Sequence, residues 1–160
     1  MRLNLFFIFS GFAVSIYGGF LVPTISDAIE KTYDHISDDD KLKKSLFCMI
    51  ALGVAECFGG LLLGKIVDRF GNRRGVFFVL VVNVVTVAIT VYVHSVKHYD
   101  WRWYMVCFFW GILDSSDNTL ISTILGFEFT SKTEPFSVYK FLQSFSAFMG
   151  FLIESEVTSF

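Results

Sequence analysis

The sequence predicts an all-α integral membrane protein with about five transmembrane helices, and three observations carry that expectation. Hydrophobic residues make up 54% of the 160 residues, and Phe alone occurs 20 times. Charged residues are 18%, below the roughly 25% of soluble domains, and mean hydropathy is +0.59. The apolar residues also fall into five long runs, at residues 3–22, 45–66, 76–95, 103–126 and 136–154. A bilayer core about 30 Å thick needs about 20 helical residues at 1.5 Å each. A soluble helix that is apolar all round would need more surrounding protein than lies outside these runs. In lipid each segment must satisfy its own backbone, so helix is expected even for the Val-rich third run. The runs do not alternate apolar with polar, which argues against a β-barrel.

The same composition excludes other classes. Disorder needs low hydrophobicity and high charge. Lys and Arg number 13 against 15 Asp and Glu, so no basic excess exists for a nucleic-acid backbone. Cys48, Cys57 and Cys107 are odd in number and lie in apolar runs, unlike a disulfide framework. No CxxC or HExxH spacing points to a metal, and no cofactor motif is present.

The first run begins after Arg2 and is interrupted by Asn4, Ser10, Ser15 and Tyr17. Ala13-Val14-Ser15 would pass as a signal cleavage site, but the run stays apolar to Val22, longer than a usual signal core. Residues 24–44 carry Asp27, Glu30, Asp34, Asp38, Asp39 and Asp40, then Lys41, Lys43 and Lys44. They read as a solvated loop with at most a short amphipathic turn. The second run holds one charge before Lys65, Glu56. A carboxylate at that depth calls for a partner, with Asn83 or a polar group of the fourth run as candidates. Trp101, Trp103 and Tyr104 form an aromatic belt at the start of the fourth run. The fifth run opens after Pro135, which suits a helix start. His35, His94 and His98 fall in or near loops and read as solvated.

Between the second and third runs stands Gly64-Lys65-Ile66-Val67-Asp68-Arg69-Phe70-Gly71-Asn72-Arg73-Arg74. Gly60 and Gly64 form a small-xxx-small pair that suits close helix approach. Gly71 permits a tight turn. Asp68 can pair with Arg. The Lys/Arg count is nearly even between the two sides of the membrane, so density decides. It places the N-terminus and this basic loop in the cytosol. On the fourth run, Asp114, Asp117, Asn118 and Ser122 fall within an arc of about 140° at 100° per residue. Carboxylates there should face a cavity or a partner. A proton, cation or polar-solute site and a packing network of hydrogen bonds fit equally. An intramembrane aspartyl protease would need its two aspartates on facing helices. Both lie on one helix here, and no enzyme activity is expected.

The G-x-x-x-D-R-x-G-x-R-R pattern, carried by Gly64, Asp68, Arg69, Gly71, Arg73 and Arg74, resembles the signature loop of the major facilitator superfamily. The resemblance implies that this cluster acts as a latch on the inward/outward equilibrium. Three further stretches narrow it: Gly53 to Gly60 with Glu56, Asp114 to Thr119, and Pro135 to Tyr139 followed by Gly150-Phe151. They resemble the C-terminal half of the ion-channel regulatory family named for the "uncoordinated" muscle protein (Unc-93-like). That family's pattern has a glutamine after Asn-Thr, where this chain has Leu120. The resemblance implies a single facilitator half over residues 1–160, with helices equivalent to the seventh to eleventh of the full fold and the sixth helix of the half missing. It implies a multi-pass protein that regulates or traffics other membrane proteins such as ion channels. The alternative is half of a proton- or cation-coupled secondary transporter. In either case the expected partners are the lipid bilayer and another half or a membrane protein.

Overall fold

A computed structural model describes residues 2–33, 35–96, 98–129 and 133–158; the acidic-loop residue Asp34 and the last residue, Phe160, lie outside them. The chain forms helices α1 (Arg2–Ser15), α2 (Val22–Thr32), α3 (Asp38–Phe70), α4 (Asn72–Val96), α5 (Arg102–Glu128) and α6 (Thr133–Thr158). A π-helical segment, Ile16–Leu21, joins α1 to α2 without a break.

That junction corrects the sequence reading at two points. The first helix does not end at Val22, and residues 24–44 are not one solvated loop. Pro23 lacks an N–H, and its ring would clash with the carbonyl four residues back in a regular helix. The wider π segment stands where that clash would arise, so the helix continues through Pro23 to Thr32. In α2, Ile25, Ala28 and Ile29 are buried, while Asp27, Glu30 and Lys31 are exposed. The connection to α3 is thus short. The Lys41 ammonium donates to Glu30 Oε2 at 2.6 Å and ties α3 to α2. Thr32 Oγ1 accepts from the Tyr99 N–H at 2.7 Å, which joins the same end of the bundle to the segment before α5. His98, expected to be merely solvated, places Nδ1 3.2 Å from that hydroxyl.

Among the described residues, four helical stretches are long and apolar enough to cross a membrane: Asn4–Thr32, Asp38–Phe70, Asn72–Val96 and Thr133–Glu156. The fourth expected span, α5, has 27 residues and the length to cross, but it is not among those four. Its position supplies the reason. Helix α5 packs most extensively on α3, then on α4, and also touches α1 and α6. A helix enclosed by others can carry polar residues on the faces it buries. The outer helices instead point Phe58, Leu61, Phe77, Val84, Phe141 and Phe148 outward, as a lipid-facing surface requires.

Helices α3 and α5 meet backbone to backbone. A Cβ on Gly59 would lie 2.8 Å from the Ile112 carbonyl oxygen. One on Gly111 would collide with the Leu52 carbonyl oxygen and lie 2.9 Å from Ala55 Cβ. The expected close approach through Gly60 and Gly64 is half realised. A Cβ on Gly60 would lie 2.9 Å from Ser115 Oγ, whereas one on Gly64 meets nothing within 4 Å. Helices α1 and α6 form the second tight pair, with Gly11 against Ser146 and Gly150 against Ser15.

Candidate functional site

The polar stretch of α5 sits where α1, α5 and α6 converge. Asn118 Nδ2 donates to the Asp114 carbonyl at 2.9 Å and to Asp114 Oδ1 at 3.2 Å. Asn118 Oδ1 accepts from the Tyr139 hydroxyl of α6 at 2.6 Å and from Gln143 Nε2 at 3.4 Å. Gln143 Nε2 also donates to Ser10 Oγ of α1 at 2.9 Å, and Gln143 Oε1 accepts from Lys140 Nζ at 2.9 Å. Tyr17, within the π segment, interacts with Asp114 from the α1 side. Tyr17, Tyr139 and Gln143 therefore converge on Asp114 and Asn118, and Ser10 and Lys140 join the network through Gln143.

Asp117 stands apart from this network. It is 1% exposed, and both carboxylate oxygens are buried without a hydrogen-bond partner among the described residues, as is Ser116 Oγ. An ionised carboxylate at membrane depth costs about 2.5 kcal/mol or more. Asp114, one turn away, supplies like charge and no relief. Asp114, Asp117 and Asn118 thus share a helix but do different things. Leu120, where the resembling family has glutamine, is fully buried against the Gly75 region of α4 and serves the apolar core.

Glu56 of α3 is half-buried. No hydrogen bond joins it to Asn83, one of its two expected partners, among the described residues. Its electrostatic neighbours are Asp114 and Tyr17, so it faces the α5 polar site from across the bundle. Beside this site, Asn118, Thr119, Ser122 and Thr123 line an open groove along α5.

The signature segment is helical almost throughout. Helix α3 runs to Phe70, Gly71 alone breaks the helix, and α4 starts at Asn72. Gly71 has φ 82° and ψ 165°, a region closed to side-chain-bearing residues, and its N–H donates to the Val67 carbonyl at 2.8 Å. Gly71→Ala should therefore cost about 1–3 kcal/mol, read as a lower unfolding midpoint in detergent. Asp68 is exposed and forms no ion pair with Arg69, Arg73 or Arg74 among the described residues. The guanidinium groups of Arg69 and Arg74 instead stand 5.4 and 5.0 Å from the Phe70 ring centre. The Asp68–Arg pairing expected of the latch is therefore not made within the chain. The reason is geometric, since Asp68 and Arg69 are successive residues of one helix and point to different sides.

Sequence reasoning placed Glu56, Asp114, Asp117 and Asn118 together as an intramembrane polar site, and the structure groups them around one bundle interior. It missed Gln143 and Lys140. Gln143 carried a usable signal, being a lone amide in an apolar run one turn after Tyr139.

The description "Major Facilitator Superfamily" belongs to the family model that matches residues 1–151 of the chain. Comparison with curated proteins and with solved structures gave no match. The family match covers nearly the whole chain and includes the glycine-broken basic turn between α3 and α4. With long apolar helices as its frame, the chain is an integral membrane protein of the Major Facilitator Superfamily.

Proposed function

We propose that the chain is a facilitator half of the uncoordinated-type branch, with α1 to α6 supplying helices equivalent to the seventh to eleventh. On this reading it acts on other membrane proteins, such as ion channels, by pairing with a second half or with the target itself. One observation carries the reading. Two of the three stretches that suggested the branch, Asp114 to Thr119 and Pro135 to Tyr139, meet in the Tyr139–Asn118 hydrogen bond. The polar groups of Asn118 are spent on Asp114, Tyr139 and Gln143 and are not held open for a solute. That is the behaviour of a packing network.

A second reading, half of a proton- or cation-coupled transporter, is favoured by Asp117 alone. Its two unpartnered oxygens are groups that a proton or cation can neutralise. The two readings separate in one set of measurements. Under the first, Asp114→Asn and Asp117→Asn keep or raise the thermal midpoint in detergent, because each removes a buried charge and at position 114 the amide oxygen still accepts from Asn118 Nδ2. Proteoliposomes then show no gradient-driven uptake, and a channel co-purifies with the chain. Uptake driven by a pH gradient and abolished by either substitution would establish the transporter instead.

A further inference from the structure

At the end of the bundle away from the signature turn, a cavity of about 260 Å³ opens between α2, the last turns of α4 and the start of α5. Its lining includes Phe20, Pro23, Asp27, Lys31, His94 and Trp103. None of these belongs to the polar network of α5. The volume lies just under the range of about 300–1,000 Å³ typical of pockets for drug-sized ligands, so it suits a smaller group.

The chemistry of the lining is asymmetric. Asp27 and Lys31 are one turn apart on α2, about 6 Å between Cβ atoms, and both are exposed. Neither has an ion-pair partner among the described residues, because Lys41 is taken by Glu30. A negative and a positive side chain therefore line the same cavity one helical turn apart. Beside them stand aromatic walls. The Phe20 ring lies 5.9 Å from the His94 ring, and the Trp103 indole N–H is already donated to the His98 carbonyl at 3.2 Å. What Trp103 can offer the cavity is its ring. A carboxylate beside aromatic rings selects a quaternary ammonium, while a lysine with an imidazole selects a phosphate. The cavity runs along α2 beside the last turn of α4, where membrane helices reach the headgroup layer.

We infer that this cavity binds a phosphocholine group, with the ammonium at Asp27 and the aromatic rings and the phosphate between Lys31 and His94. The group can be a lipid headgroup or a free solute, and the test separates them. Purified full-length chain in detergent is mixed with phosphatidylcholine or phosphatidylglycerol, and bound lipid is counted by native mass spectrometry. Retention of phosphatidylcholine should exceed that of phosphatidylglycerol by about tenfold, and Asp27→Asn or Lys31→Gln should each remove most of that preference. His94→Gln, on the exposed last turn of α4, gives an independent reading if an α2 variant fails to fold. Free phosphocholine that displaces the lipid supports the same chemistry with a water-soluble source, and lipid that resists it supports a membrane source. Equal retention of both lipids, or a preference untouched by all three substitutions, overturns the inference.

Discussion

Gly111→Val should prevent the bundle from assembling, and the loss should be among the largest of any single substitution in the chain. The side chain would be driven into the Leu52 carbonyl and against Ala55 on α3. Overpacking of a well-filled core typically costs about 1–3 kcal/mol, and more where backbone rather than a flexible side chain must give way. Here both obstacles are rigid. The α3–α5 interface is also the most extensive in the bundle, so parting it exposes Leu52, Ala55, Val106 and Cys107 together. Size-exclusion chromatography in mild detergent should show the folded peak replaced by aggregate. Gly64→Ala provides the contrast, because an added methyl there meets nothing within 4 Å. In a helix interior it should be neutral or stabilising by about 0.5–1 kcal/mol. A Gly64→Ala variant as damaged as Gly111→Val would mean that the Gly64 face is covered by something outside this chain.

Asn118→Leu should be the second severe change. The substitution removes an acceptor for the Tyr139 hydroxyl and for Gln143 Nε2, and a donor for Asp114. Leaving a buried polar group unsatisfied costs about 1–3 kcal/mol, and the Tyr139 hydroxyl bears the largest share, since Gln143 Nε2 keeps Ser10 Oγ at 2.9 Å and Asp114 keeps Tyr17. The thermal midpoint should fall further than for Asp117→Asn, where no hydrogen bond is lost among the described residues. Tyr139→Phe should recover part of that loss in the double variant, because it removes the hydroxyl that donated to Asn118. A midpoint for Asn118→Leu within error of the parent would show that α6 is held to α5 by apolar contact alone.

The existence of five long helices was legible because bilayer thickness fixes a length, and length can be read from composition. The Pro23 region was not. A proline after two glycines ordinarily ends a helix, and only the π segment next to it allows continuation. The polar residues of α5 were legible as a group because 100° per residue places them on one arc. Their separate fates were not, since Tyr139 and Gln143, the α6 partners of Asn118, are 21 and 25 residues away in sequence. Glycine pairs were misread in the same way. The spacing of Gly60 and Gly64 shows that a face is smooth, but not whether another helix lies against it. Gly59 and Gly111 make the backbone-to-backbone contact, and the Gly60–Gly64 spacing points to neither.

The tight pairing of α1 with α6 bears on how the protein is made. Helix α1 is synthesised well before its main partner α6, and the Gln143–Ser10 bond spans 133 residues of sequence. At about 5–20 residues per second, synthesis keeps α1 waiting in the bilayer for about 7–27 s. During that time Ser10, Ser15 and the groove at Gly11 have lipid or the insertion machinery for company. Quality-control factors that recognise polar groups in unassembled membrane helices would meet their best target in that interval. Docking of α6 on α1 is the event that covers these groups.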